Sequence, residues 1–557
     1  MLDLNDISVC SATHLPIVKE YGNRMGLVKV IDDALDSNMQ VSPGKIVMGL
    51  IMNILSTRSP LYLVEEFFNN KDVPLLLGEA LSAAKFNDDA IGRVLDSIYG
   101  YGTWKLFSEI VLETYKEFKV DCSIVHQDTT SVSVWGEYEP KPDDTLKITF
   151  GHSKDKQPDL KQFVISLLCV EGNLPLYAEI LDGNSSDKKI NGNILKQLPK
   201  IMAGHGVANR EFIYVADSAL VTGDNLTIID DDMLFISRLP ANFAACNELI
   251  GKAVADVNSW QDVGQISQKI VRGKNECARY RIQERTVTIK NKNYRALIVH
   301  SDAHDRRRQK SIAKALIKDK SALSKKAEDL SNKKFFCFAD AQSAVEAFKS
   351  SKFHDASITI EERPIFGKGR PKKNEMRSAK AIQYELVIAV TENSDTIEKL
   401  KEKAGCFVLL SNVIIEKKSA PEILKTYKEQ DGIEKNFGFL KDPLIVNDVF
   451  LKKPSRIEAL GLVLVLALLL SRLMERAMRS KITEEGSSLQ GLNKVDTKKP
   501  TAHILRHIFS SVSVIIYNGK RLMAKPFNKA QLAYLSALDV NPGVYTKILE
   551  FIPLYSG

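Results

Sequence analysis

Three carboxylates hold positions from which they could work together. Asp128 lies inside a segment with strand alternation, His126-Gln127-Asp128-Thr129-Thr130, and Asp217 ends a short apolar run, Tyr214-Val215-Ala216-Asp217. Glu434 falls on a late helical stretch. Acids at the ends of neighbouring strands converge in space, and a helix packed across a sheet can bring in a third. Such hard oxygen ligands suit Mg²⁺ or Mn²⁺. Two such ions would activate an attacking oxygen and stabilise a leaving one in an in-line displacement at phosphorus. Taken singly, an Asp closing a strand is most simply a turn or helix cap. His126 shares the strand face of Asp128 by period two, where it could assist or simply pack.

The surroundings of Glu434 are more specific. Tyr427, Gln430, Glu434 and Lys441 are separated by two, three and six residues. This spacing resembles the Y-(2)-R-(3)-E-(6)-K signature of the DDE transposases of bacterial insertion sequences, the IS-four-like superfamily, with Gln430 in place of the usual Arg. The segments 151–162 (GHSKDKQPDLKQ), 183–187 (GNSSD) and 405–412 (GCFVLLSN) are similar to one branch of that superfamily, which carries a long helical N-terminal region. The resemblance covers most of the chain, strongly from about 120 to 475. It implies an RNase H-like catalytic core with a β-rich insertion before the last helix. It also implies cut-and-paste chemistry with Asp128, Asp217 and Glu434 as ligands of two metal ions. Hydrolysis at the element ends would be followed by attack of the freed 3′-hydroxyl. Tyr427, Gln430 and Lys441 are expected on one helix face as phosphate contacts. Gln430 brings neither the charge nor the bidentate fork of an Arg.

The order of elements agrees with such a core. Residues 1–118 read as an all-helical N-terminal domain, with apolar residues at three- and four-residue spacing in Pro43–Leu55, Ala90–Tyr99 and Trp104–Phe118. From 119 to 237 the pattern is three strands in series, then helix, strand, helix, strand. The strands are Ser123–Val134, Phe163–Val170, Leu174–Leu181, Glu211–Ala216 and Met233–Ser237. This predicts a mixed α/β sheet. Residues 238–404 read as a β-rich insertion containing a basic helical stretch, Ala303–Asp329. Residues 405–476 return to the core, with a helix from about Ala420 to Leu440 and a buried helix at 456–476. Residues 477–557 form a C-terminal region expected to serve dimerisation.

Lys154 and Lys161, around Pro158 and Asp159, could lay a loop on DNA or mark a solvated hairpin. Arg370 and Lys372, in Lys368-Gly369-Arg370-Pro371-Lys372-Lys373, resemble an AT-hook core, where Arg enters a narrow minor groove. The expected partners are double-stranded DNA, both terminal inverted repeats and target, and a second copy of the chain. The helical N-terminal domain is the expected reader of the repeats.

The bulk composition permits this without requiring it. The net charge of +8, from 77 basic and 69 acidic side chains, is small for 557 residues. Seven scattered cysteines argue against a disulfide framework or zinc site and for a reducing cytosol. MLDLNDISVC lacks a basic flank before an apolar run, and the longest apolar run, Ala459–Leu470, is short for a bilayer. A cytoplasmic, nucleoid-associated protein without a membrane partner is expected. The competing readings are a non-catalytic DNA-binding repressor of the same descent and a nuclease without end specificity.

Overall fold

In the computed structural model the described residues run from 7 to 548. Residues 79–80, 137, 140–145, 230–231, 267–269, 272–273, 276–277, 369–378 and 442–452 lie outside that description. The chain divides into two compact units. The first takes residues 1–237, 411–414 and 423–557, and the second takes 238–410 and 415–422.

The first unit opens with a short strand, β1 (Ile7–Ser11), followed by the helices α1 (Leu15–Arg24), α2 (Pro43–Ile54), α3 (Asp88–Tyr101) and α4 (Thr103–Phe118). Pro at the first helical position starts α2, and the Asn87 side chain caps α3 by accepting from Ala90 N–H. Five strands of a larger mixed sheet then follow: β2 (Ile124–Val134), β3 (Lys161–Cys169), β4 (Pro175–Leu181), β5 (Ile213–Ala216) and β6 (Leu234–Arg238). Helix α5 (Asp187–Gly204) connects β4 to β5. The order across the sheet is β4-β3-β2-β5-β6. The first three strands are antiparallel, and β5 and β6 run parallel to β2. The mixed α/β sheet expected from the alternation is therefore present.

The second unit has its own strand run, β7 (Gln261–Gln265), β8 (Arg279–Ile289) and β9 (Lys292–Ser301). A 30-residue helix, α6 (Asp302–Ser331), and α7 (Phe338–Ala347) follow. A long two-stranded ribbon of β10 (His354–Phe366) and β11 (Ala379–Glu392) comes next, and β12 (Cys406–Ser411) pairs beside β9.

The chain then re-enters the first unit through α8 (Ala420–Lys428) and α9 (Asp431–Leu440), and continues into α10 (Pro454–Glu485). Helix α10 packs against α1, α2, α3, α4 and β4, so it is the common core of the N-terminal helices and the sheet. By length and composition α10 could cross a membrane, yet it is buried inside this unit from Ile457 to Ile482. The uninterrupted apolar run covers only 459–470. The buried face extends beyond it at helical spacing through Leu473, Met474, Met478 and Ile482.

Two expectations need correction. The N-terminal region is not all-helical, because β1 pairs antiparallel with a further strand, β13 in this chain order (Ser513–Tyr517), from Ile7↔Tyr517 to Ser11↔Ser513. A five-residue strand whose partner lies some 500 residues away leaves no local periodicity to read. The second correction concerns the helix expected from Ala420 to Leu440. Its bonds shorten from four-residue to three-residue steps at Gln430 N–H to Tyr427 O and Ile433 N–H to Gln430 O. The result is two helices, α8 and α9, rather than one straight face.

Candidate active site

The parallel register places two of the acids side by side. His126 faces Val215 across β2 and β5, and two residues further along each strand stand Asp128 and Asp217. Asp128 lies within β2 and Asp217 directly follows the end of β5, and the two are near enough for the Asp217 charge to act on Asp128. Asp128 Oδ1 accepts from Thr129 N–H at 2.7 Å. Asp217 caps the helical turn Ser218–Leu220, its Oδ1 accepting from Ala219 N–H at 2.9 Å, and its carbonyl accepts from Ser237 Oγ–H of β6 at 2.7 Å. Cap and acid are thus the same residue, so the simple reading of Asp217 holds without removing it from the site.

A third acid, Asp187, enters from the first turn of α5. Its Oδ1 accepts from Thr129 Oγ1–H at 2.6 Å, and its Oδ2 stands 3.5 Å from Lys154 Nζ. Lys154 Nζ also donates to Thr129 O at 2.7 Å and to Thr129 Oγ1 at 2.6 Å. Lys154 N–H donates to Ser131 Oγ at 2.9 Å, which ties the 151–162 loop to β2. The loop must lie close to the chain after β4. A Cβ on Gly151 would stand 2.0 Å from Gly183 O, and one on Gly183 would stand 2.0 Å from Gln162 O. Both segments that carry the resemblance here, 151–162 and 183–187, are therefore folded around the acids.

Burial dominates the electrostatics. It raises the Asp128 carboxyl to about 6, against the pull of Lys154 and the Thr129 N–H, with the nearby Asp217 and Asp187 charges adding to the rise. Asp217 is raised as well, first by burial, then by Asp187, against the Ala219 N–H and Lys154. Burial lowers His126 to about 4, so that ring is neutral, and its Nδ1 is buried without a partner. It packs as a strand residue. Lys154 is the cation acting on both Asp128 and Asp217, and in each the second carboxylate oxygen has no protein donor among the described residues. An oxygen-only donor set of this kind could take a divalent cation of the Mg²⁺ type, which binds through one or two carboxylates and keeps its remaining positions for water and phosphate.

Glu434 is placed differently. It lies in the first turn of α9, exposed, and α9 packs on β2. Gln430 Nε2 donates to Gln127 O at 3.1 Å, next to Asp128. Gly432 lies against the turn between β3 and β4, where a Cβ would stand 1.7 Å from Asn173 Oδ1. Asn436 Nδ2 donates to Asn173 O at 2.9 Å, and Arg472 Nε of α10 donates to Asn436 Oδ1 at 2.8 Å. Among the described residues no three of His, Cys, Asp and Glu stand close enough together to hold a metal ion. The structure thus brings Asp128 and Asp217 together with Asp187, and leaves Glu434 on the adjoining helix.

The other candidate residues are dispersed around this centre. Tyr427 is half-buried at the end of α8. Lys441 Nζ donates to both oxygens of Asp155, at 2.7 and 2.8 Å, and so ties the end of α9 to the 151–162 loop. Lys161 Nζ donates to Tyr138 O. Arg370 and Lys372 lie outside the described residues. Asp187 is a site residue that sequence reasoning misses. Its only signal is its place at the end of the 183–187 segment, because its link to Thr129 spans 58 residues.

Residues 7–112 match a family model described as a domain of unknown function (DUF4277). The match begins at β1 and ends within α4, before the first strand of the sheet. No curated protein matches the chain. Over its N-terminal helices the chain is similar to that family.

Proposed function

We propose that the protein is a DNA transposase of the DDE type, cutting and rejoining phosphodiester bonds at the ends of an insertion sequence. The observation that carries this reading is the pair Asp128 and Asp217, one within β2 and one at the end of its parallel neighbour β5 in the mixed sheet, both carboxyls raised by burial. Three antiparallel strands in series, followed by two parallel strands, is the order expected of an RNase H-like core, and the second unit would be its insertion. Helix α9, which bears Glu434, lies against the same strand that carries Asp128, with Tyr427 on α8 and Gln430 and Lys441 at the two ends of α9.

Asp128 and Asp217 would hold Mg²⁺ or Mn²⁺, with Glu434 as the further carboxylate, and the bound ions supply charge stabilisation at phosphorus and an activated oxygen nucleophile. The chain's own residues prepare that centre. Thr129 N–H and Ala219 N–H each fix one carboxylate oxygen and leave the other for a ligand. Lys154 and Thr129 hold Asp187 at the edge of the pair. Gln430 ties α9 to the backbone beside Asp128, which is a neutral hydrogen bond where the usual Arg would bring charge.

The test uses the purified full chain, Mg²⁺ or Mn²⁺, a duplex carrying the ends of the chain's own element, and an unrelated duplex. Cutting confined to the element ends is expected. Equal cutting of both duplexes would indicate a nuclease without end specificity, and end binding without any cutting would indicate a repressor. Either result would remove the transposase reading.

A further inference from the structure

The 30-residue helix α6 of the second unit is covered along one side only. Ile312, Leu323 and Ala327 are buried on that side, where α6 packs on β8, β9, β10 and β11. The acids of α6 are turned toward the covered side or stand near its ends. Asp305 Oδ1 accepts from Gln309 Nε2 at 3.2 Å, and Asp319 Oδ2 lies 2.8 Å from His354 Nδ1. Asp302 pairs with Arg306 at 3.4 Å in the first turns, and Glu328 and Asp329 lie near the C-terminal end.

Between these acids the charge is of one sign. From Arg306 to Lys318 the helix carries Arg306, Arg307, Arg308, Lys310, Lys314 and Lys318 and no Asp or Glu, and all six are exposed. At about 100° per residue, Arg307, Lys310, Lys314 and Lys318 fall in a row on the side opposite Ile312 and Leu323, about 16 Å long. Among the described residues no acid stands within ion-pair distance of Lys310, Lys314 or Lys318. Helix stability does not account for this order. Arg306 and Lys310, Lys310 and Lys314, and Lys314 and Lys318 are successive pairs at four-residue spacing, where like charges repel. A helix face that served solubility alone would alternate the two signs.

We propose that the outward row of α6, Arg307, Lys310, Lys314 and Lys318, binds the phosphate backbone of duplex DNA without regard to its sequence. Cations left unneutralised along a straight, rigid helix suit a stiff polyanion. Single strands are held by stacking bases on aromatic rings, and α6 has no Phe, Tyr or Trp. Its apolar side is covered by strands, so it has no face to lay in a membrane surface. Three of the four side chains in the row are Lys, point charges that meet phosphates, and no Asn or Gln stands among them to read a base edge. The row deepens the transposase reading and rests on it for its partner: strand transfer needs a hold on target DNA that does not depend on the terminal-repeat sequence.

The experiment measures affinity of the full chain for a duplex of mixed sequence, unrelated to the element ends, across a salt series. Wild type is compared with a row variant, Lys310→Gln, Lys314→Gln, Lys318→Gln. A second variant, Arg308→Gln, Lys320→Gln, Lys326→Gln, removes the same charge from the flanks of the covered side of α6. All six side chains are exposed, and circular dichroism checks that both variants fold. The row variant is expected to bind about tenfold or more weakly at moderate salt, with a slope of log K against log salt shallower by about three, near one unit for each phosphate no longer neutralised. The flank variant is expected to stay within about threefold of wild type, with its slope changed by less than about one unit. Equal losses in the two variants would mean that net charge alone sets the affinity, and they overturn the row. A row variant that binds like wild type overturns it too, and neither result touches the cleavage reading if wild type cuts its element ends. Loss confined to the row variant, in a protein that never cuts those ends, keeps the row and removes the transposase reading. A wild type that binds no duplex overturns both.

Discussion

At the scale of single residues, two carboxyls and two imidazoles owe their behaviour to burial. Burial raises Asp128 to about 6, so under the proposed function protons would compete with a bound cation in that range and release it as pH falls. Binding of Mn²⁺, followed by calorimetry, is therefore expected to tighten as pH rises through about 6, and an affinity flat across that range would count against Asp128 as a ligand. His14 shows the opposite sign. It is buried, its Nε2 contacts Leu55 O at 3.1 Å, its Nδ1 has no partner, and burial lowers it to about 4. Its folded value is depressed from 6.5, so its contribution to stability is complete above pH 6.5 and is lost as pH falls toward 4. The loss is about 3 kcal/mol at most, from about 1.4 kcal/mol per unit. Melting temperatures between pH 7 and 4.5, an interval chosen about these values, should fall for wild type and fall less for His14→Gln. The alignment of Asp128 with Asp217 is legible in the sequence, because each acid sits at a fixed place on a recognisable strand. Asp187 is not, since nothing local connects it to Thr129.

At the scale of elements, the helix that bears Glu434 is held by tertiary packing rather than by propensity. Gly432 gives α9 its approach to Asn173, and Asn436 links that turn to Arg472 of α10. Gly432→Ala forces a methyl into Asn173 and should cost about 1–3 kcal/mol, the usual range for overpacking. It should also lower strand cleavage more than DNA binding, because α9 shifts relative to β2. Chemical denaturation and a cleavage assay would show this, and a variant as stable and as active as wild type would mean that α9 is not positioned by this approach. The five strands of the sheet are readable because their apolar residues alternate or run continuously between turn residues. The break between α8 and α9 is not, because the side-chain spacing continues across it while the backbone tightens.

At the scale of the molecule, the C-terminal residues are committed to the N-terminal helices. Tyr21 Oη–H donates to Leu538 O, Arg506 donates to Ser56 O, and Tyr545 Oη–H donates to Thr13 O. Arg521 forms a two-pronged pair with Asp72, at 2.6 and 3.0 Å, with side chains 12% and 2% exposed. Removing one partner of such a pair leaves the other buried and unpaired, so Arg521→Met should cost about 3–5 kcal/mol. Denaturant unfolding would check this, and a loss below about 1 kcal/mol, the value of a surface pair, would contradict it. None of these long-range pairings has a local sequence signal, whereas α10, their common support, is plain from its apolar run.

The central claim is that Asp128, Asp217 and Glu434 cut DNA as one metal-dependent centre. The most direct measurement compares wild type with Asp128→Asn, Asp217→Asn and Glu434→Gln on a duplex carrying the element ends, reading strand cleavage and end binding in the same samples with Mg²⁺ or Mn²⁺. The expected result is metal-dependent cutting by wild type, at least about a hundredfold loss in each variant, of the order seen when one group of a catalytic constellation is removed, and end binding retained throughout. Cutting that survives in Asp128→Asn, Asp217→Asn or Glu434→Gln would contradict it.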